Sequence, residues 1–250
     1  MKWLIPIILF CSSVSWGAIA LDNYDAGAES DESLSVTYNH TTASTPNNAI
    51  AICADVYYGG TPTATYAGVN VPLAASQRAT SGNTNYGVYL FYATGVATGA
   101  NNVIVSAGGI AYFISFAVTF TGVSGTGGNT PDNTATNSGT GTSLTISITP
   151  VASNAMAVDC GGTEVSSGLT PTGSWTTGQS KVGTSAFSIG SNYIGPVSSG
   201  QSDSFSGGSP AWETTALTMA PAVSSSYTPL TQDSIRGGKV TIQGGRVSVQ

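Results

Sequence analysis

The feature that most constrains this chain is an alternation of apolar and polar residues with a period of two. The longest run covers residues 110–120, and shorter runs cover residues 34–38, 86–92 and 144–148. Successive side chains of a β-strand point to opposite faces of the sheet, so this spacing predicts strands with one buried face. Phe113 adds an apolar residue on the other face of the longest run, which predicts a strand covered on both sides. No window combines helical periodicity with capping residues.

Many short strands separated by turn residues are typical of a β-sandwich. Further strands are predicted around residues 18–23, 48–58, 63–67, 102–106, 154–160, 184–189 and 212–219. Clusters of Gly, Asn, Pro and Ser separate most of them. The segment Gly122–Thr142 is polar and glycine-rich almost throughout, and we predict a long exposed loop there. The predicted fold is all-β: a two-sheet antiparallel sandwich, jelly-roll or immunoglobulin-like, with a C-terminal β-hairpin.

The charge of the chain restricts its partners. Only 7% of the 250 residues are charged, and the net charge is -6. Average soluble domains carry about 25% charged residues, so the exposed strand faces must be mostly Ser, Thr and Asn, as in exported β proteins. Arg78 and Lys181 are the only basic residues between positions 18 and 221. Nucleic acid is therefore not an expected partner of this part of the chain.

The N-terminus has the organisation of a secretory signal peptide. Lys2 precedes the apolar run Trp3–Phe10, and small residues allow cleavage after Gly17 or after Ala20. The run is too short to span a bilayer. We predict a signal peptide at residues 1–17 and an extracellular, secreted protein that can also sit on a cell or particle surface, without a stable membrane span.

Export bears on the cysteines. Cys11 would leave with the leader, so Cys53 and Cys160 remain in an oxidising compartment. Both lie in apolar, strand-like runs. A disulfide forms if these two strands face each other, and two buried thiols are the alternative.

A composition change near Pro221 marks the end of the sandwich domain, residues 18–221. Residues 222–234 are predicted to be a linker and residues 235–250 a tail with an internal repeat. Gly237–Gln243 and Gly244–Gln250 match in residue class at every position. Two strands around Gly244–Gly245 would form a hairpin with the preferred two-residue turn.

An isolated hairpin is only marginally stable, so we expect the tail to dock on a surface. That surface belongs to the domain, to a like subunit or to another protein. The basic residues either support docking on an anionic surface or protect strand edges from aggregation. The predicted docking residues are Arg236, Lys239, Val240, Ile242, Arg246 and Val247.

The strand cores resemble a known group of proteins. The motifs that carry the resemblance are residues 34–40, 48–53, 65–73, 89–92, 100–105, 116–122 and 155–159. They are similar to a diffuse group of Ser/Thr/Gly-rich β-sandwich domains found in secreted bacterial proteins and in phage genomes. The resemblance covers residues 18–221 and implies a fold, with no catalytic residues to transfer.

Catalytic groups are sparse. His40 is the only histidine, no Gly-x-Ser-x-Gly motif is present, and too few ligands remain for a catalytic zinc site. We predict that His40 faces solvent or is bonded within a turn. Asp55, Asp159, Glu164 and Glu213 are candidates for the paired carboxylates of a glycoside hydrolase. The alternative is that they are solvated on outer strand faces.

Two further groups of residues suggest binding. The densest cluster of negative charge comprises Asp22, Asp25, Glu29, Asp31 and Glu32. We predict that these residues form a solvated acidic loop, and the alternative is a site for a structural calcium ion. No other cofactor is expected. Trp175 is flanked by polar residues and is predicted to be exposed, with Tyr193, as a ligand-binding surface for a sugar. Trp212 is predicted to pack inward.

These observations together favour a non-catalytic, exported recognition or adhesion module that is docked through its C-terminal tail, with a glycan as one candidate ligand. The alternatives are a structural subunit of an extracellular assembly, or a phage virion decoration protein, and, third, a glycoside hydrolase.

Overall fold

The structure is a computed structural model. It describes residues 15–16, 18–43, 47–80, 84–125, 128–165, 168–183, 187–207, 211–224, 240–243 and 246–249. Within these residues there are strands and no helix. Trp16–Val223 form one compact unit, called the body below. Residues 1–14 and 17 of the predicted signal peptide, the linker residues 225–234 and the tail residues Arg236 and Lys239 lie outside the described residues. Ser15–Trp16 of the predicted signal peptide form a short strand.

The strands follow one another with short connections. They are β1 (Ser15–Trp16), β2 (Ala20–Tyr24), β3 (Ala28–Thr42), β4 (Ala49–Tyr57), β5 (Thr63–Tyr66), β6 (Val69–Val71), β7 (Leu73–Arg78), β8 (Tyr86–Thr94), β9 (Gly99–Thr121), β10 (Asn133–Gly139), β11 (Ser143–Ile148), β12 (Ala155–Thr163), β13 (Thr170–Pro171), β14 (Thr176–Val182), β15 (Ser188–Val197), β16 (Gln201–Ser206), β17 (Trp212–Met219), β18 (Val223–Ser224), β19 (Val240–Gln243) and β20 (Arg246–Val249). β1 and β18 form a separate two-stranded ladder.

The largest sheet has eight strands and curls back on itself. Its order is β6-β5-β9-β4-β8-β7, and β2 and β3 also pair with β9. The first half of the long strand β9 pairs with β5, and its second half pairs with β4. The two end strands β6 and β7 are separated in the chain by Pro72 alone. The inner face of this curled sheet buries its own apolar cluster, which includes Ile50, Ile52, Tyr66, Phe91 and Phe113.

Two more sheets complete the body. The five-stranded sheet has the order β10-β17-β12-β15-β14, and the three-stranded sheet has the order β11-β16-β13. One face of the five-stranded sheet packs on the eight-stranded sheet through a large core. Its other face packs on the three-stranded sheet through two smaller clusters. β12 and β17 are therefore buried at every position.

The all-β antiparallel sandwich predicted from the period-two pattern is confirmed. Every ladder of the body with a described register is antiparallel. The three-stranded sheet adds a further layer to the two that the pattern predicts. Among the described residues, no helix is long and apolar enough to cross a membrane.

Some polar segments are strands against expectation. The predicted loop at 122–142 contains β10, which pairs with β17 along its whole length. β14 and β16 are likewise strands outside the predicted set, and the strand expected at 184–189 begins at Ser188 instead. β10 and β14 are edge strands, which need backbone pairing more than apolar side chains, so polar sequences can occupy them. β16 is the central strand of its sheet and has one buried apolar side chain, Phe205.

The tail forms the predicted hairpin. β19 and β20 pair antiparallel, with Val240 opposite Val249 and Gln243 opposite Arg246. Two residues, 244 and 245, separate the two strands, as the predicted turn requires. This hairpin belongs to a unit other than the body.

Candidate functional sites

A disulfide joins the two larger sheets. Cys53 on β4 is bonded to Cys160 on β12, with their Cα atoms 5.7 Å apart. The two residues are 107 positions apart in the chain. Both side chains point into the core between the eight-stranded and five-stranded sheets. This crosslink fixes the two sheets against each other beside the acidic groups described next.

Two carboxyl groups are buried at this same interface. Asp55 is on β4, two residues after Cys53, and is 0% exposed; Glu213 is on β17 and is 1% exposed. Glu213 lies directly opposite Gly162 in the ladder of β12 and β17. A Cβ atom on Gly162 would lie 2.7 Å from Oδ2 of Asp55, so the missing side chain makes room for this carboxyl group. Glycine at this position therefore permits the acidic pair.

The pair has little to compensate its burial. Both carboxyl oxygens of Asp55 and Oε1 of Glu213 are buried without a well-aligned hydrogen bond. Burial raises the pKa of Asp55 well above its ordinary value, and the Val56 amide offsets only part of this. Burial also raises the pKa of Glu213, and the charges of Asp55 and Glu164 raise it further. The pair therefore holds protons at pH values where exposed carboxyl groups are ionised.

Asp55 and Asp159 lie one or two residues from the two cysteines in sequence, which suggests that these two acids are close in space. The structure does not pair them. The structure brings Asp55 and Glu213 together, with Glu164 near enough to act electrostatically on Glu213. Asp159 lies on the other side of the five-stranded sheet. A glycosidase requires its two carboxyl groups to contact the sugar. Asp55 and Glu213 are sealed in the core, where a sugar cannot reach them. The expected outer-face location is wrong for both.

The second acidic pair lies between the five-stranded and three-stranded sheets. Asp159 Oδ1 accepts a hydrogen bond from the backbone amide of Asn192 at 2.7 Å. Asp203 Oδ2 accepts one from Asn192 Nδ2 at 2.6 Å. Burial raises the pKa of Asp159, and the nearby Asp203 raises it further, whereas the Asn192 amide lowers it. Asn192 therefore bridges the two acids. The outer-face location expected for Asp159 is also wrong.

His40 is buried, so the predicted solvent-facing position is wrong. Its Nδ1 contacts Asp25, and its Nε2 lies 3.2 Å from Thr119 Oγ1. Thr119 donates a hydrogen bond of 3.0 Å to Asp22. Burial lowers the pKa of His40, although Asp25 opposes this. The order carboxylate, imidazole, hydroxyl resembles a catalytic relay, but Thr119 is 0% exposed and no substrate reaches it. We interpret the network as a structural link between β3 and β9.

The acidic residues near the N-terminus lie mainly on strands β2 and β3, not in a solvated loop. Asp22 also accepts a hydrogen bond from the Ala43 amide at 3.0 Å. Glu29 lies 3.8 Å from Lys181, and Glu32 accepts a hydrogen bond from Tyr112 at 2.9 Å. Within the described residues, no three potential ligating side chains are grouped as a metal site.

Trp175 is not an exposed sugar platform. It is only 4% exposed and packs with Ile146 and Ile148 of β11. Tyr193 is half-buried and packs on the opposite face of the five-stranded sheet, with its ring 6.1 Å from that of Phe120. The two residues therefore do not form a common surface. The sequence neighbours of Trp175 are polar, but its indole is covered by a hydrophobic core. Trp212 is buried, as predicted.

A column of aromatic rings, which no sequence pattern predicted, reaches the surface at the end of β4. Phe187 and Tyr86 are buried, Tyr57 is half-buried, and Tyr58 is 57% exposed. Tyr86 stacks on Tyr57 at 4.1 Å between ring centroids, and Tyr57 lies 3.8 Å from Tyr58. The doublet of tyrosines before Gly59 interrupts the period-two alternation, which is the signal that could have revealed it.

A small pocket lies at the turn between β5 and β6. Its volume is about 100 Å³, and Tyr66, Val69, Thr94 and Asn129 contribute to its lining. Sites for small organic ligands usually have volumes of about 300 Å³ or more. This pocket is too small for a sugar ring to be enclosed.

The protein is thus an all-β sandwich, crosslinked by a disulfide, with His40 and four acids buried inside it: Asp55, Asp159, Asp203 and Glu213. No protein-family model, no curated protein and no solved structure matches the chain. The resemblance to Ser/Thr/Gly-rich sandwich domains stays a prediction.

Proposed function

We propose that the protein is a non-catalytic, exported recognition or adhesion module that attaches through its C-terminal hairpin to a like subunit or to another protein. The observation that carries this proposal is the register of the hairpin. It pairs Val240 with Val249 and Ile242 with Val247, while the polar positions pair with each other. The four apolar positions therefore fall on one face of a two-stranded ribbon. Such a ribbon needs a surface to be stable.

The body supports a binding role over a catalytic one. Its two acidic pairs, His40 and Thr119 are buried, so these groups do not contact solvent; Asp25 beside His40 is 31% exposed. Its core disulfide suits an oxidising compartment. A glycan remains a candidate ligand of the body, although Trp175 is unsuited to bind it.

Strand addition supports a second candidate, a structural subunit of an extracellular assembly or a virion decoration protein. β19 and β20 form a sheet of two strands, so each has an outer edge without a partner among the described residues. Unpaired edges can add to the sheet of a neighbour. In this case the hairpin of one copy would pair with a second copy.

Removing residues 235–250 tests the role of the hairpin. We expect the truncated protein to keep the unfolding transition of the body and to lose association, measured by sedimentation velocity over a wide concentration range. A single substitution, Ile242→Ser, should weaken association at an apolar position, and Thr241→Ser provides the matched control at a polar one. Loss of self-association on truncation would support the structural subunit.

If the intact chain is a monomer, attachment to another protein is tested by retention on the producing cell or particle. Equal release of the intact and truncated proteins, together with equal mass in solution, would contradict the proposal. Mass spectrometry of the released protein tests export. We expect an N-terminus after residue 17 or 20, and retention of residues 1–17 would contradict signal-peptide cleavage.

A further inference from the structure

The surface end of the aromatic column is surrounded by negative charge. We define the tyrosine cluster as Tyr57, Tyr58, Tyr86, Tyr112 and Glu32. Tyr112 joins the column because its ring lies 5.7 Å from that of Tyr57. Its hydroxyl group donates a hydrogen bond of 2.9 Å to Oε1 of Glu32. The cluster therefore combines an exposed ring, a supporting stack and a carboxylate on neighbouring strands.

The charged groups that act on the cluster are all carboxylates. Asp31 and Glu32 act on Tyr112, and Glu164 acts on Tyr86. Asp55 also lies near Tyr86, but its raised pKa favours the uncharged form, so it adds no negative charge there. Lys181 pairs with Glu29 at 3.8 Å. Arg78 lies opposite Gly87, next to the cluster in sequence, and its side chain donates a hydrogen bond of 3.2 Å to Tyr89, which is outside the cluster. The charges that act on Tyr86 and Tyr112 are negative.

The exposed member of the column is held in an unfavourable backbone conformation. Tyr58 has a φ of 71°, and Glu32 has a φ of 46° at a bulge of β3. A positive φ is unusual for residues other than glycine and rare for a bulky one. Each such residue costs about 1–3 kcal/mol, and such residues are concentrated at ligand-binding sites. Glycine would satisfy the backbone at position 58 better than tyrosine, so the ring itself has a use that offsets this cost.

We propose that the tyrosine cluster binds an organic cation, a quaternary ammonium, ammonium or guanidinium group. The negative face of an aromatic ring attracts a cation placed over it, and tyrosine rings with nearby carboxylates provide this environment. The face of Tyr58 is the contact surface, Tyr57 fixes its orientation by stacking, and Glu32 supplies the charge. An exposed site with one main ring binds weakly, with a dissociation constant on the order of millimolar.

This site is independent of the C-terminal hairpin. Its failure would leave the proposed attachment untouched, and truncation of residues 235–250 should leave cation binding unchanged. A free choline ion is a suitable probe, because it carries a quaternary ammonium group. Its uncharged carbon isostere, dimethylbutanol, has nearly the same shape and tests whether charge is required.

Saturation-transfer NMR on the purified full chain gives the binding readout. We expect saturation of choline, with at least about fivefold weaker saturation of dimethylbutanol. Tyr58→Gly should weaken choline binding about fivefold while raising the stability of the protein, because glycine adopts the positive φ without strain. Glu32→Gln keeps an oxygen acceptor for Tyr112 and should weaken binding about threefold by removing the charge.

Ala67→Gly is the matched control, because Ala67 has a φ of 52° in the turn between β5 and β6, outside the tyrosine cluster. It should raise stability and leave choline binding unchanged. If Tyr58→Gly does not fold, Tyr58→Asn provides the same test, because asparagine also tolerates a positive φ. Equal saturation of choline and dimethylbutanol, or unchanged binding by the folded Tyr58 variant, would overturn the proposal. Saturation of a methyl glucoside without choline would show a sugar platform instead, and would equally overturn it.

Discussion

The five-stranded sheet buries an acidic pair on each of its faces, and the two pairs are accommodated in different ways. On the face toward the eight-stranded sheet, Asp55 and Glu213 lie beside the Cys53–Cys160 disulfide without well-aligned hydrogen bonds. On the face toward the three-stranded sheet, Asn192 donates to both Asp159 and Asp203. The first interface therefore combines a covalent crosslink with acids that lack a well-aligned donor. At the second interface Asn192 satisfies one oxygen of each acid, whereas Asp159 Oδ2 and Asp203 Oδ1 have no well-aligned partner among the described residues and the pKa of Asp159 is also raised by burial.

This difference shows that a buried acid does not by itself indicate a catalytic site. An unpaired buried carboxyl group is tolerated when it keeps its proton, because the neutral form avoids most of the cost of desolvation. A bridged pair is tolerated because amide donors satisfy one oxygen of each acid, which lowers the cost of burying the pair. The following variants test whether the two interfaces differ in this way.

The largest effect should come from the crosslink. The double variant Cys53→Ala and Cys160→Ala should lower the free energy of unfolding by about 4 kcal/mol, because the unfolded chain no longer contains a long closed loop. Urea unfolding monitored by tryptophan fluorescence measures this. As a control, a reducing agent should destabilise the wild-type protein and leave the double variant unchanged. A loss below about 1 kcal/mol would mean that the sheets are held together without the disulfide.

The bridge at the second interface should come next. Asn192→Ala removes the side-chain hydrogen bond to Asp203 and keeps the backbone amide bond to Asp159. The buried Asp203 carboxyl group then loses its amide donor beside Asp159, so we expect a loss of about 3 kcal/mol in the same unfolding measurement. Asn137→Ala is the matched control, because the Asn137 side chain is exposed and donates one hydrogen bond of 2.9 Å to Thr145. It should cost less than about 1 kcal/mol. Equal losses for the two variants would contradict a special role for Asn192.

Gly161 and Gly162 face opposite interfaces, so alanine substitutions at the two positions compare how tightly each interface is packed. A Cβ atom at Gly162 would lie 2.5 Å from Val88 Cγ2 and 2.7 Å from Asp55 Oδ2. A Cβ atom at Gly161, on the other face, would lie 3.2 Å from the ring of Phe205. We expect Gly162→Ala to cost about 2 kcal/mol by overpacking, and Gly161→Ala to cost less than about 1 kcal/mol. Thermal unfolding of both variants measures the difference, and the reverse order would contradict the packing described for Asp55.

The smallest effect should come from the protonation of Asp55, which changes the free energy of unfolding only gradually with pH. Because the pKa of Asp55 is raised in the folded state, the folded protein keeps a proton that the unfolded chain releases above about pH 4. The resulting stability is complete below this pH and is lost as the pH rises through the raised pKa. The asparagine in Asp55→Asn is neutral and does not titrate. The free energy of unfolding of this variant, relative to that of the wild type, should therefore rise between pH 4 and pH 8.

Measuring urea midpoints across this range tests the pH prediction, and the difference between variant and wild type cancels the opposite contribution of His40. Glu213→Gln should change the profile in the same direction, because the pKa of Glu213 is also raised by burial. Parallel profiles for Asp55→Asn and wild type would show that Asp55 is ionised in the folded protein.

Much of the fold could be predicted from local patterns. The alternation in residues 110–120 predicts the second half of β9, and the repeat around residues 244–245 predicts the hairpin of β19 and β20. Strand β10 could not be predicted in this way. It is an edge strand whose polar residues pair through the backbone with β17, and backbone pairing leaves no apolar signal.

The candidate sites were less predictable than the strands. Trp175 has the polar neighbours of an exposed residue, yet residues of β11 cover it. His40 ends an alternating strand, yet Thr119 from a distant part of the chain meets it. The tyrosine cluster combines residues from four parts of the sequence. In each case the deciding contact comes from a strand whose position depends on the whole sheet.

The sequence by itself determined that this chain is all-β, which cysteines can pair and that its tail forms a hairpin. These properties depend on side-chain periodicity, on cysteine number and on a glycine turn, which are local. Only the tertiary structure decided that Asp55 and Glu213 face each other between two sheets while Asn192 bridges another pair behind them. The physical reason is that a strand defines two faces, whereas the layer that covers each face is chosen by the packing of the whole body.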